Sequence, residues 1–527
     1  MTHRVLVATA LSEAGIDLLR SEVGGLATII YPEQILTSSA LTTAEALIIR
    51  DEVRVDTQLL DAAPRLRVIG RAGADIAGID IDAATRRGIV VMNTPGINAI
   101  SAAEHTLALM LALTRHIVLA HNALTDGHWQ RDTFTGQQLF QKTLGIIGFG
   151  RVGREVARRA LAFGMNILAY DPYIQERQIE GFQVKLVGLN DLLSQSDIIS
   201  LHSAFSPETM GLLNRQTLSR VKPGALLVNT AHGDMVEEEA LLNTLDSQQL
   251  AGAAVDVFAE EPLTNSRLLS HPRILHTPHI GDNTREAQRE LGLHIVRQVI
   301  DALRGEDFRH AINLPFMDDQ PFEAIQPYLK LAERIGILHY HLAAGDIQRV
   351  MLEIKGDEFE GLVKPMTVAL LNGLLSPMLG DRVNYINAPL LAQEHNIFVT
   401  QGKGLNSYHY NNLLSCKTEW SGGNLVIAGA LFNRLDPHIV RVNQYTTDFH
   451  PDGVMLIIGS YDIPGVIGRV GLLLAENNIN IASWQTGRAE PGGNTLSVLT
   501  LDEPVDDTIL DTLRAQEYIR HVTQIII

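Results

Sequence analysis

The segment TLGIIGFGRVGREVARRALAFG, residues 143–164, constrains the fold more than any other stretch of the chain. An apolar run leads straight into Gly148-x-Gly150-x-x-Gly153, and an amphipathic helical pattern follows without a break. The first glycine permits a tight turn, the second lets a pyrophosphate approach the backbone, and the third lets helix pack closely on strand. The helix N-terminus presents unpaired N–H groups and a positive dipole end to the phosphates. The next strand pattern ends in LAYDP, where the Asp171 carboxylate can accept from both ribose hydroxyls and repel a 2′-phosphate. Strand, turn, helix and terminal acid agree, and they predict NAD binding in a parallel α/β sheet.

The same alternation runs from the N-terminus to about residue 285. Strand patterns fall at Val5–Thr9, Ala46–Ile49, Val68–Arg71, Val90–Asn93, Leu144–Gly148, Ile167–Tyr170, Ile198–Leu201, Leu226–Asn229, Ala253–Asp256 and Ile274–His276. Helical patterns such as Ala102–Leu113 and Val152–Phe163 separate them. Alternating β and α elements imply parallel sheets with crossover helices. So many strands divide into two Rossmann-like, doubly wound domains, residues 1–97 (completed by a helix within 286–315) and 98–285. Residues 316–450 mix helices and strands after a break near Pro315, and 451–527 read as a βαββαβ ferredoxin-like sandwich.

Composition narrows the function class. Among 527 residues, 60 acidic and 42 basic side chains give a net charge of −18, which argues against a nucleic-acid or anionic-membrane partner. The single cysteine, Cys416, excludes an internal disulfide and a multi-cysteine metal site, and no metal is expected. No uncharged apolar run reaches the roughly 20 residues of a spanning helix. The opening MTHRVLVATALSEAGID lacks the basic-then-apolar order of a signal peptide, so a cytoplasmic location is expected.

Three segments near strand ends carry candidate chemistry: VNTAHGDMV (228–236), AAVDVFAEEPL (253–263) and HTPHIGDNT (276–284). They supply His232, Asp256, Glu261 and His279. Oxidising a secondary alcohol with NAD requires a base for the hydroxyl proton beside the nicotinamide. Histidine suits the task, and a neighbouring carboxylate fixes its tautomer and raises its pKa. His279 with Glu261 is the natural pair.

With these residues in view, the chain resembles the D-isomer-specific 2-hydroxyacid dehydrogenases, in the long form typified by the D-3-phosphoglycerate dehydrogenases. The resemblance rests on GRAGADIAGID, ATRRGIVVMNTPG, SAAEHTLALMLAL, KTLGIIGFGRVG, AGAAVDVFAEEPL and TPHIG, then GLLSPMLG, VNYINAPLLA and YDIPGVIGRVGLLLAENNINIAS. It implies NAD-dependent oxidation of 3-phosphoglycerate to 3-phosphohydroxypyruvate, the first step of the phosphorylated route to serine. It also implies a substrate domain, an NAD domain, an intervening domain and an ACT-type regulatory domain, in a homodimer or homotetramer paired through the NAD domains. The resemblance places cofactor contacts at Gly148, Gly150, Arg151, Val152, Gly153, Asp171, Ala231 and Asp256, and substrate contacts at Arg50, Arg71, Ala74, Asp75, Asn98 and Arg131. In the C-terminal module it places an L-serine effector against Ser460, Asp462 and Asn480.

The chain departs from the family pattern where the substrate is held. His232 stands where the family has an arginine that grips the substrate carboxylate. Guanidinium is always charged and offers a bidentate fork, whereas imidazole offers one bond in that direction. Losing a charged bidentate contact in the transition state costs roughly 3–5 kcal/mol. Asp75 replaces a glycine of the substrate cradle, and Asp51 and Asp132 add further negative charge. These departures leave two alternatives to phosphoglycerate oxidation: a dehydrogenase of another 2-hydroxy acid, or a non-catalytic homologue that binds NAD and an amino acid.

Overall fold

The computed structural model describes residues 3–527 apart from 24–26, 51, 75, 77, 180, 265, 316–321, 357, 358, 360, 404–409 and 411. Among the described residues four sheets form. The first comprises β1 (Val5–Val7), β2 (Ala27–Ile29), β3 (Ala46–Ile49), β4 (Val68–Arg71) and β5 (Val90–Met92), all parallel, in the order β2-β1-β3-β4-β5. The second comprises β6 (Thr143–Ile147), β7 (Asn166–Tyr170), β8 (Val184–Leu186), β9 (Ile198–Leu201), β10 (Ala225–Asn229), β11 (Leu250–Val255) and β12 (Ile274–His276). Its order, β12-β11-β10-β9-β6-β7-β8, reverses direction between β6 and β9, the switch point at which doubly wound sheets bind ligands.

Burial explains why these strands were readable. Along the second sheet, alternate residues enter two separate cores. Leu144, Ile146, Ile167, Ala169, Ile198, Leu226, Val228 and Ala254 pack on one face. Ile147, Leu168, Ile199, Leu201, Leu227, Ala253 and Val255 pack on the other. Helices cover both faces, so the strands are apolar at every position rather than alternating. β2 and β8 were not among the expected strands. Each is a three-residue edge strand with no buried residue.

The third sheet joins β13 (Ile347–Lys355), β14 (Phe398–Lys403), β15 (Leu413–Trp420), β16 (Gly423–Phe432), β17 (Asp436–Val442) and β18 (Tyr445–Phe449) in the order β14-β13-β15-β16-β17-β18. Only the β13–β14 pair is parallel. The fourth contains β19 (Val454–Tyr461), β20 (Ile481–Arg488), β21 (Asn494–Leu501) and β22 (Ile519–Ile526), antiparallel in the order β20-β21-β19-β22. With the helices Val466–Glu476 and Asp507–Arg514 this is the expected βαββαβ sandwich.

The chain forms two compact units: Met1–Ala10, Leu18–Asn93 and Ile295–Ile527 in one, Leu11–Asp17 and Thr94–His294 in the other. The helix Arg285–Arg304 contributes to both. Within the first unit, the helices Phe322–Leu342 and Val363–Leu379 meet through glycines. A Cβ on Gly373 would fall 1.9 Å from the Glu333 carbonyl oxygen, and one on Gly336 would fall 2.1 Å from that of Leu370. Backbone blocks both positions, so only helix separation could relieve the clash. Gly373→Ala should therefore destabilise the protein by about 1–3 kcal/mol. Denaturant unfolding of the whole chain checks this, and an unchanged midpoint would refute the close approach.

Candidate active site

The dinucleotide turn sits at the switch point of the second sheet. Gly148 adopts φ 92°, and a Cβ there would lie 2.4 Å from the Ser203 amide nitrogen. A Cβ on Gly153 would lie 2.2 Å from the Gly148 carbonyl oxygen, so helix and strand meet backbone to backbone. Gly150 is different: nothing lies within 4 Å of where its Cβ would project, and it caps the helix Arg151–Ala162. Open space over a helix N-terminus suits a pyrophosphate. Asp171, just past β7, accepts from the Phe149 amide at 2.9 Å and from the Tyr173 amide at 3.0 Å. It thereby ties the end of β7 to the glycine turn. Arg151 donates to the Pro95 carbonyl beside Gly96, and Val152 packs against the apolar core. These residues fit an NAD molecule.

The ends of β10, β11 and β12 bring the proposed acid–base residues together in the same unit. His279 Nδ1 lies 2.6 Å from Glu261 Oε2, and the other oxygen of Glu261 accepts from the Phe258 amide at 2.9 Å. His279 is in the left-handed region, φ 51°, a strained setting for a side chain of its size. Asp256 supplies the compensation. It is 1% exposed, and its carboxylate accepts from Thr277 Oγ1 (2.5 Å) and the amides of Ile280 (3.0 Å) and Gly281 (2.8 Å). His105 Nε2 lies 3.2 Å from the same carboxylate. Burial works to raise the Asp256 pKa, but the bonds from His105, Thr277 and Ile280 outweigh it and hold the carboxyl below the usual range. Asp256 clamps the loop that displays His279.

Burial also disfavours a charged imidazole at His279. The hydrogen bond and charge of Glu261, with the charges of Asp256 and Asp282, outweigh that cost and raise its pKa above the ordinary value. With Nδ1 committed to Glu261, Nε2 is the atom that can exchange a proton with a bound alcohol or ketone. His232 lies on the neighbouring turn, its ring 5.8 Å from that of Phe205. Asn229 shapes this turn, donating to the His232 carbonyl (2.8 Å) and accepting from the Ala231 amide (3.1 Å).

The remaining candidates are dispersed. Asn98 precedes the helix Ala99–Thr114, and Arg131 lies exposed in the turn Arg131–Phe134. Arg50, Arg71 and Ala74 belong to the other compact unit, at the C-terminal ends of β3 and β4. Arg71 is 2% exposed, a guanidinium drawn inside at a strand end. Asn93 donates to the Ala74 carbonyl at 2.6 Å and so holds that loop. Asp75 and Asp51 lie outside the described residues. In the fourth domain Ser460 is 2% exposed and bonded to Thr495 (2.8 Å). Asp462 accepts from Arg488 (3.0 Å) and the Gly492 amide (2.8 Å), and Asn480 donates to Asp502 (2.7 Å).

Sequence reasoning passed over His105, Asn93 and Asn229. Each acts through a hydrogen bond to a residue distant in sequence or to a turn, and none lies in a recognisable spacing.

Comparison with known proteins agrees with this geometry. Residues 107–281 match the family described as D-isomer specific 2-hydroxyacid dehydrogenase, NAD binding domain. Residues 324–443 match the D-3-phosphoglycerate dehydrogenase intervening domain, and 454–517 the ACT domain. A D-3-phosphoglycerate dehydrogenase of Synechocystis sp. is 38% identical over 520 residues, covering 97% of this chain and 92% of that protein. One of Archaeoglobus fulgidus is 38% identical over 517 residues, covering 97% of each. Among solved structures, the TT0316 protein of Thermus thermophilus superposes with a TM-score of 0.54 at 34% identity, covering 59% of this chain and 99% of its own. A D-lactate dehydrogenase of Aquifex aeolicus, complexed with NAD and lactic acid, gives a TM-score of 0.51 at 26% identity, covering 58% of this chain and 96% of its own.

The His279–Glu261 pair predicts a pH profile. Alcohol oxidation needs neutral His279, so kcat/KM in that direction should rise through a pKa above the ordinary value of about 6.5. Glu261→Gln removes the raising charge, so this acid limb should move to lower pH. Ketone reduction, which needs the imidazolium, should fall about ten- to a hundredfold at neutral pH. Profiles in both directions test this; an acid limb that stays in place would disconnect Glu261 from His279.

Proposed function

Because the chain belongs to the D-3-phosphoglycerate dehydrogenase family, we propose that it oxidises 3-phosphoglycerate to 3-phosphohydroxypyruvate, with NAD as cofactor, at the head of the phosphorylated route to serine. The observation that carries this reading is the His279–Glu261 pair at 2.6 Å, held by Asp256 in the unit that contains the dinucleotide turn. NAD held at the Gly148–Gly153 turn would supply the hydride acceptor for the substrate C2 carbon. His279 Nε2 takes the hydroxyl proton, and Glu261 stabilises the imidazolium that results. By the family resemblance we assign Arg50, Arg71 and Ala74 in one compact unit, and Asn98 and Arg131 in the other, to the substrate's carboxylate and phosphate. We assign residues 1–97 to the substrate domain on this basis. His232 replaces the bidentate arginine with a single donor, which weakens the grip on the α-carboxylate without removing the acid–base pair.

The ACT match points to an amino-acid effector, and we assign it as L-serine, held by Asp462 and Asn480 with Ser460 behind them. We further assign the working species as a homodimer or homotetramer paired through the NAD domain. The helix Ile117–Thr125 supports pairing, because none of its residues is buried although its sequence is IVLAHNALT. Ile117, Leu119 and Leu124 are about half-exposed, and Trp129 just beyond is 83% exposed. Contiguous exposed apolar surface of this kind marks an interface. Among the described residues no single helix is long and apolar enough to cross a membrane; we place the enzyme in the cytoplasm, where its one cysteine stays reduced.

NADH oxidation with 3-phosphohydroxypyruvate should proceed at roughly 1–1000 per second. His232→Arg should raise kcat/KM by about tenfold or more, by restoring the fork. Folded protein with no turnover in either form would overturn the substrate assignment. Sedimentation velocity should find a dimer or tetramer. Titration calorimetry of that species should detect L-serine, with binding weakened roughly tenfold or more by Asp462→Ala. A monomer, or no heat with serine, would refute the corresponding assignment.

A further inference from the structure

The outer hairpin of the third sheet gathers two histidines and two aspartates far in sequence from the active-site residues. Asp436 and His438 are alternate residues of β17, so they project from one face. Ile439 pairs with Phe449 across the β17–β18 ladder, and continuing that antiparallel register sets His438 opposite His450 and diagonal to Asp448. Single donor atoms of Asp436, His438 and His450 all lie within 4.8 Å of one another. His438 Nε2 is 3.3 Å from one oxygen of Asp436, and His450 Nδ1 is 3.2 Å from the other. A tetrahedron built on metal–ligand bonds of about 2.0–2.1 Å has edges of about 3.3–3.5 Å.

The fourth residue gives the cluster a direction. Asp448 Oδ1 lies 2.5 Å from His438 Nδ1. Donation from Nδ1–H to that carboxylate places the Nε2 lone pair toward Asp436 and His450. A carboxylate behind a ligating imidazole is the arrangement that orients histidines in metal centres and raises their basicity. The His438 side chain is 12% exposed, and its ring stacks on Phe432 with centroids 4.1 Å apart and planes at 17°. Flipping the ring to turn Nε2 away would cost the Nδ1 bond to Asp448. A plain surface ion pair would not fix one histidine so firmly while leaving His450, 57% exposed, beside it with its own nitrogen toward the same carboxylate.

We propose that Asp436, His438 and His450 bind a divalent transition-metal ion of the zinc type, with water completing the shell and Asp448 holding the His438 tautomer. Two imidazoles and one carboxylate are a donor set that suits zinc better than magnesium or calcium. The sequence reading expects no metal, since it weighs cysteine spacing, and these ligands meet only through strand register. The ion would join β17 to β18. That strand also meets the fourth domain, since a Cβ on Gly487 of β20 would fall 2.6 Å from the Thr446 carbonyl oxygen and 3.0 Å from Tyr445 Cβ. The site thus fastens the strand against which the ACT domain rests.

The test is zinc titration of the whole chain after chelator treatment, by calorimetry and elemental analysis. The wild type should bind a zinc ion that His438→Ala and His450→Ala each weaken at least about a hundredfold. Asp448→Asn should weaken it about ten- to a hundredfold without changing the stoichiometry. His279→Ala should leave this ion in place, which separates it from adventitious binding at the active site. Zinc should also raise the thermal midpoint of the wild type and leave that of His450→Ala unmoved. His450 is exposed, so that variant folds, and NADH turnover checks it. Wild-type protein that takes up no zinc, or binding that survives both histidine substitutions, overturns the proposal.

Discussion

A carboxylate taken out of water must recover several hydrogen bonds or lose its charge. Asp256 recovers them from one loop: Thr277, Ile280 and Gly281 all donate to it, and His105 approaches from the helix Ala99–Thr114. The His279 amide, in turn, donates to the Asp256 carbonyl at 2.9 Å. Side chain and backbone of one residue therefore fix both sides of the loop. This network holds His279 in a left-handed conformation that its own preferences oppose, and the meeting with Glu261 follows from it. The imidazole of the proposed acid–base pair is placed by a group that need not touch the reacting atoms.

Much of this was legible in the sequence because parallel strands covered on both faces advertise themselves as apolar runs. β6, β9 and β10 carry that signal, and the helix after Gly150 carries a strong amphipathic one. β2 and β8 are shorter and unburied, because edge strands answer to one neighbour and to solvent. The site followed the same logic. His279 and Glu261 were readable because each lies just past a strand in a distinctive setting. His105 was not, because it occupies one position of a largely apolar helix, where a histidine reads as packing. Asn93 and Asn229 act on turns through side-chain amide bonds to the backbone, and no spacing marks such a role. Ser460 was readable only as an effector residue, while in the fold its hydroxyl is spent on Thr495.

The departures from the family pattern fall on residues proposed to grip the substrate, whereas the proposed acid–base pair, His279 and Glu261, meets at 2.6 Å. His232 gives up charge and a second donor, yet Asn229 still shapes its turn and the backbone around it. Arg71 remains buried at the end of β4, and Asn93 still secures the Ala74 carbonyl. The residues proposed for substrate affinity and those proposed for proton transfer thus sit in separate hydrogen-bond networks, so a change in one need not disturb the other.

The second sheet also works as a ruler. Gly148, Asp171, His232, Asp256 and His279 all fall within three residues past the last residue of β6, β7, β10, β11 and β12. Their positions in space are therefore set by counting along strands whose alternate residues are locked into two different cores. Deleting one residue inside any of these strands would exchange its two faces and drag the functional residue at its end out of place together. Length changes can be absorbed only where the strands begin, in the connections entering from the helices. An evolving lineage of such chains would accumulate its insertions at one rim of the sheet and keep the other at fixed length.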